Sequence, residues 1–255
     1  MITGLCILLA LAAGFDHSPW DRVLKRFVNA VGEVDYAAIK AEPAPIDAYL
    51  AAIASVSPDS HPQLFASAHD QLAYWLNAYN ALVTKGVADA YPTKGVRHLG
   101  ADFAFFKRAV YVAGNRRVSL DNIEHDTIRK RFAEPRIHFA LVCAAVSCPR
   151  LDRDAFLPAT LDAHLDRLTR QFLSERRNLL IDAAHNRITL SSLFKWYGAD
   201  FQSVPAFLAH YVPAVASLRN PRLRYFEYDW SINEPGSRRR SASPFERELA
   251  AGPPN

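Results

Sequence analysis

Apolar positions along residues 69–90 recur at helical spacing. Leu72, Leu76, Tyr79, Val83 and Val87 lie three or four residues apart, one face of an α-helix. Tyr91-Pro92 ends that run, because the residue before a proline is pushed out of the helical region. Upstream, Ser18-Pro19-Trp20 reads as an N-cap followed by proline at the first helical position, and Val23, Phe27, Val28 and Val31 supply the apolar face. Gly32 stops this helix, Val34-Asp35-Tyr36 reads as a short extended piece, and a further helix covers Pro45 to Ser55. Val110 to Ala113 and Arg116 to Val118 flank Gly114-Asn115, which predicts a hairpin. Ser119 is placed to cap a helix over 120–132. Ile137 to Ala144 is a continuous apolar run of strand length and predicts a buried strand. A helix follows at about 158–174, then a second hairpin from Leu179 to Leu190 around His185-Asn186. Two helices kinked near Gly198 and a last strand, Leu223 to Tyr228, complete the pattern. The elements predict a helix-rich α+β single domain over 18–234, built around a small, mostly antiparallel sheet with a buried central strand. Its motif core runs from about 69 to 176, and periodicity is lost in a tail, 235–255, that reads as disordered.

Composition adds limits to this picture. With 255 residues, 50% hydrophobic and 22% charged, the chain can bury one substantial core. The net charge of +4 is mild, and Arg238, Arg239 and Arg240 in the tail carry much of it. No basic stripe with interleaved aromatics runs through the fold, so nucleic acid is discounted as a partner. Residues 1–14 are apolar, end in small residues and contain the A-x-A pattern Ala10-Leu11-Ala12, which predicts a signal peptide, although no basic residue precedes Arg22. The run is too short to span a bilayer, so no stable membrane span is expected after cleavage. An exported protein, periplasmic or extracellular, would keep Cys143 and Cys148 and lose Cys6.

Three groups of residues can carry chemistry. Asn77 and Asn80 share one face of an otherwise apolar helix and must find polar partners if buried. They are read either as a ligand-orienting pair or as an amide cluster that ties loops to the helix. Glu124, His125 and Arg129 lie on the next helix, with His125 and Arg129 as i, i+4 neighbours and Glu124 turned by about 100°. They can supply an acid–base group with an anion-binding arginine, or a structural ion-pair face. Arg136, His138, Cys143 and Cys148 form the third group. On a regular strand His138 and Cys143 point to opposite faces, so a direct thiol–imidazole pair is disfavoured there.

Several blocks together give the chain a likeness. Trp75-Leu-Asn-Ala-Tyr-Asn80, Ile123-Glu-His125, Arg136 to Cys143 with Ser147-Cys-Pro149, Leu190 to Phe201 and Tyr228-Asp-Trp-Ser-Ile-Asn233 resemble the family catalogued as domain of unknown function 547. The resemblance runs from about Trp20 to Asn233. It implies that Asn77, Asn80, Glu124, His125, Arg136, His138, Cys143 and Cys148 occupy motif positions, and it supplies no reaction. A fainter likeness, in the order of helix and strand alone, is to papain-like and transglutaminase-like enzymes.

Three functions follow, in this order. The first is an exported binding or structural module with a Cys143–Cys148 disulfide, in which Asn77, Asn80, Arg129 and Arg136 contact an unknown ligand or protein partner. The second is a thiol hydrolase or transferase using a Cys/His/Asn site, with Cys148 or Cys143 as nucleophile, His125 or His138 as base, an asparagine as the orienting group, and Glu124 as a further catalytic candidate. The third is a metal site from His125, His138, Cys143 and Cys148, ranked last because Cys-x4-Cys is loose for zinc. No cofactor is expected, since no glycine-rich phosphate loop follows a strand.

Overall fold

A computed structural model describes residues 14–237, so the predicted signal peptide and Cys6 lie outside the described residues, as do residues 238–255 of the predicted tail. Four helices open the chain: α1 (Ser18–Phe27), α2 (Tyr36–Ala41), α3 (Ala44–Ser55) and α4 (Ala68–Ala90). Ser18 is the first residue of α1 and not its cap; Asp16 takes the capping role by accepting the Ser18 N–H at 2.8 Å. The extended piece at Val34 is a single bridge to Val28, and Tyr36 already begins α2. α4 starts at a capping box in which Ser67 and Asp70 satisfy each other's backbone N–H groups. It is buried on most of its circumference, from Leu72 to Thr84, and the other helices and loops pack around it.

The first hairpin pairs β1 (Tyr111–Ala113) with β2 (Arg116–Val118) across Gly114-Asn115. Gly114 has a φ of +56°, and a Cβ there would sit 2.1 Å from the Ser57 Oγ, so both turn and packing require glycine. A short helix, α5 (Ala104–Lys107), precedes the hairpin. After it, Asn122–Ile128 forms a π-helical turn that runs into α6 (Arg129–Arg131), with the Ser119 hydroxyl accepting the Asn122 N–H at 3.0 Å. α7 (Leu161–Ser174) leads to a three-stranded sheet of β3 (Leu179–Asp182), β4 (Arg187–Leu190) and β5 (Arg222–Tyr225). β4 lies in the middle, antiparallel to β3 and parallel to β5. α8 (Leu193–Trp196), α9 (Val204–Tyr211) and α10 (Pro213–Ala216) lie between β4 and β5. The fold is therefore helix-rich α+β, as expected, and no helix among the described residues is long and apolar enough to cross a membrane.

One element differs from the sequence reading. Ile137 to Ala144 is not a strand: Pro135–Phe139 is a 3-10 helix, and the chain then runs irregularly to a bridge between Ala145 and Ile232. A fully buried apolar run has the same composition in either conformation, so its hydrophobicity did not discriminate. The buried central strand of the sheet is β4, where Ile188 and Leu190 are wholly enclosed. The start of the predicted tail is also held: Gly236 donates to Glu33 at 3.0 Å, and Ser237 is buried.

Candidate functional site

The two asparagines of α4 hold the irregular segments in place. Asn80 donates from Nδ2 to the Ala140 carbonyl at 2.9 Å and accepts the Val142 N–H at 3.0 Å. Asn77 does the same for Phe156, at 2.8 and 3.0 Å. Each amide acts as one rung of a β-ladder, satisfying backbone groups that no strand pairs. Neither asparagine lines the cavity described below, so the loop-tying role is the one their contacts serve.

That irregular path overturns the parity argument for His138 and Cys143. With no regular strand, both side chains line a single cavity of about 250 Å³, together with Glu124, His125 and Cys148. Its walls are aromatic: Tyr79, Phe103, Phe106, Trp196, Tyr197, Tyr228 and Trp230. Trp196 and Trp230 stack at 5.8 Å with Tyr228 against both, and Trp196 remains 45% exposed at the mouth.

The polar groups in and behind the cavity form two hydrogen-bonded sets, one around Glu124 and one around Arg129 and Asp200. The π-helical turn carries Glu124 and His125, and its widened backbone lets successive residues face one space. Glu124 is buried and accepts the Tyr79 hydroxyl at 3.1 Å. Burial, with the carboxylate second, holds the Tyr79 and Tyr197 phenols well above their ordinary range, so both stay protonated donors. The Arg129 Nη1 donates to His125 Nδ1 at 3.1 Å, which leaves the His125 proton on Nε2. Arg129 also grips Asp200 with two bonds of 2.7 and 2.8 Å. Asp200 in turn lies 2.7 Å from His138 Nε2. The Arg129 hydrogen bond, followed by that of His138, draws the Asp200 pKa down to about 2. Burial pushes the His138 pKa down despite Asp200, so the ring is neutral near pH 7 and stacks on Tyr197 at 4.0 Å.

The disulfide expected in the first-ranked reading is present: Cys143 and Cys148 are joined, with their Cα atoms 6.2 Å apart. It removes both thiolates from any metal set. Among the described residues no cluster of three or more His, Cys, Asp or Glu side chains is placed to hold a metal ion. Arg136 lies outside the cavity and is bound to Glu134 and Asp162. A wider groove of about 900 Å³ runs beside α1 and α7; in it Lys25 pairs with Asp21 and Arg167 with Asp152, while Asp16 and Asp70 are held by Ser18 and Ser67.

The residues that sequence reasoning missed are Asp200, Tyr197, Trp196, Tyr228 and Trp230. All five fall inside the Leu190–Phe201 and Tyr228–Asn233 blocks. The available signal was His138 itself, since a buried imidazole needs a partner and those blocks contain the carboxylate.

Residues 64–173 match the family described as Protein of unknown function, DUF547. No curated protein and no solved structure matches the chain, which leaves the papain-like and transglutaminase-like similarity without support.

Proposed function

We propose that this chain, which carries a DUF547 domain over residues 64–173, is an exported binding module that takes a small cationic ligand in its aromatic cavity. The observation that carries the reading is Glu124, a buried carboxylate inside a cavity with seven aromatic side chains in its walls. Two tyrosines touch that carboxylate and no salt bridge to it forms among the described residues, while Arg129 acts on it electrostatically and Lys107 lines the same cavity beside Asp121. An ammonium group placed there would meet both the carboxylate and the negative faces of the rings. Export rests on the apolar residues 1–14 and on the disulfide.

Choline and its uncharged isostere 3,3-dimethylbutanol test the ligand class, with tryptophan fluorescence from Trp196 and Trp230 as readout. Choline is expected to bind about tenfold more tightly than the alcohol, the worth of one desolvated cation–π and charge contact. Glu124→Gln is expected to erase that preference. Equal affinities in the unaltered protein would end the cationic reading. Export is checked by the intact mass of the protein recovered from the cell envelope, which should lack residues 1–14.

A second reading is a thiol enzyme in the reduced state. It is favoured by a base oriented by a carboxylate, His138 on Asp200, in the same cavity as Cys143. After reduction, His138→Gln should slow iodoacetamide alkylation of Cys143 about tenfold at neutral pH, if the imidazole helps form the thiolate. An unchanged rate removes this reading.

A further inference from the structure

A disulfide exchanges readily when one sulfur is open to an incoming thiolate and the other leaves as a stabilised thiolate. The two sulfurs here are unequal in this sense. Both border the cavity, but Cys143 is half-buried whereas Cys148 is only 2% exposed. The donors converge on Cys148: its Sγ accepts the Cys143 backbone N–H at 2.9 Å and the Tyr228 hydroxyl at 3.1 Å. The same hydroxyl lies 3.2 Å from the Cys143 Sγ, so it can follow charge from one sulfur to the other.

We propose that Cys143–Cys148 is an exchange-competent disulfide whose reductant is a low-molecular-weight aminothiol that enters through the aromatic cavity. The thiolate of the small molecule attacks the Cys143 Sγ. The Cys143–Cys148 bond breaks, a mixed disulfide forms on Cys143, and Cys148 leaves as a thiolate held by the Cys143 N–H and Tyr228. A second molecule of thiol attacks the small-molecule sulfur of the mixed disulfide and releases Cys143 as a thiolate. Two small thiols are thereby oxidised to one small disulfide, their two protons and electrons passing to the cysteine pair. The preference for an ammonium group rests on the cationic reading above, through Glu124 and Asp121, which outnumber Lys107 among the charged side chains of the same cavity. The exchange itself does not depend on that reading.

Two thiols of opposite charge separate these points on the unaltered, folded protein. Cysteamine and 2-mercaptoethanesulfonate are added, the reaction is quenched with N-ethylmaleimide, and intact mass is followed in time. Cysteamine is expected to open the bond without denaturant, about tenfold faster than the sulfonate once each rate is divided by that thiol's rate on a small model disulfide, given that carboxylates outnumber Lys107 in the cavity. Tyr228→Phe should slow opening about tenfold through loss of one hydrogen bond to the departing thiolate. Cys148→Ser treated with cystamine should carry its adduct on Cys143. Equal normalised rates for the two thiols in the folded protein would still support exchange, while removing the cationic preference. Reduction that requires denaturant, or that proceeds only at the rate of global unfolding, overturns the proposal and leaves the ligand reading intact.

Discussion

Asn80→Ala is expected to lower the unfolding free energy by about 3 kcal/mol, since two buried backbone groups lose their partner at once. The groups are the Ala140 carbonyl and the Val142 N–H, and both residues are almost fully enclosed. Water cannot take over without opening the core, and no neighbouring strand offers a replacement. Urea unfolding measures the loss. Asn77→Ala provides the comparison: it frees the Phe156 backbone in the same way and should be comparably destabilised. Only the Asn80 variant loosens the segment that leads into Cys143, so only it should change the fluorescence of Trp196 in the folded state. A loss below about 1 kcal/mol would mean that the segment has other support than this amide.

The second large effect is a loss of stability in mild acid. His17 is buried, donates to or accepts from the Tyr49 hydroxyl at 2.8 Å, and burial pushes its pKa down to about 4. The unfolded chain, with an ordinary imidazole pKa near 6.5, binds the proton first, so stability rises with pH across this interval. Going down from pH 7 to pH 4 should remove about 3 kcal/mol from this group alone. His138, also shifted down by burial, adds to the loss in the same direction. Asp152 and Asp200 act in a lower window. Each has a pKa drawn down to about 2, so their contribution is whole above pH 3.8 and fades only as the pH falls towards 2. His17→Gln retains a partner for Tyr49 and should flatten the pH dependence between 7 and 4. If the variant and the unaltered protein lose stability in parallel, His17 is not the origin.

What the sequence revealed depended on whether a local signal was tied to one conformation. α4 was legible because its apolar spacing fits only a helix, and the first hairpin because Gly114-Asn115 demands its turn. The second hairpin and the kink near Gly198 were legible for similar reasons. The stretch after Arg136 was not, because apolar residues fill a buried loop as readily as a buried strand. The information was present elsewhere, in Asn77 and Asn80: two amides on a helix face are what a chain needs when loops must be satisfied without a sheet. The site was half legible. Glu124, His125, His138 and both cysteines were singled out and share the cavity, whereas Asp200 and the aromatic wall come from segments far along the chain. Their meeting with His138 is a property of topology that periodicity cannot carry.

The last described residues have a consequence for the order in which the protein is completed. Val146 donates to Ser231 at 2.9 Å, Asn233 to Ala144 at 3.1 Å, and the Tyr36 hydroxyl to Asn233 at 2.6 Å, so the segment from Tyr228 to Asn233 is threaded between earlier parts of the chain. Synthesis proceeds from the N-terminus, and the cysteines, five residues apart, emerge some eighty residues before Tyr228. The sulfur bridge can therefore close while the cavity still lacks one wall. A bridge closed at that stage would be older than the pocket it borders, and Tyr228 would arrive at a bond that already exists.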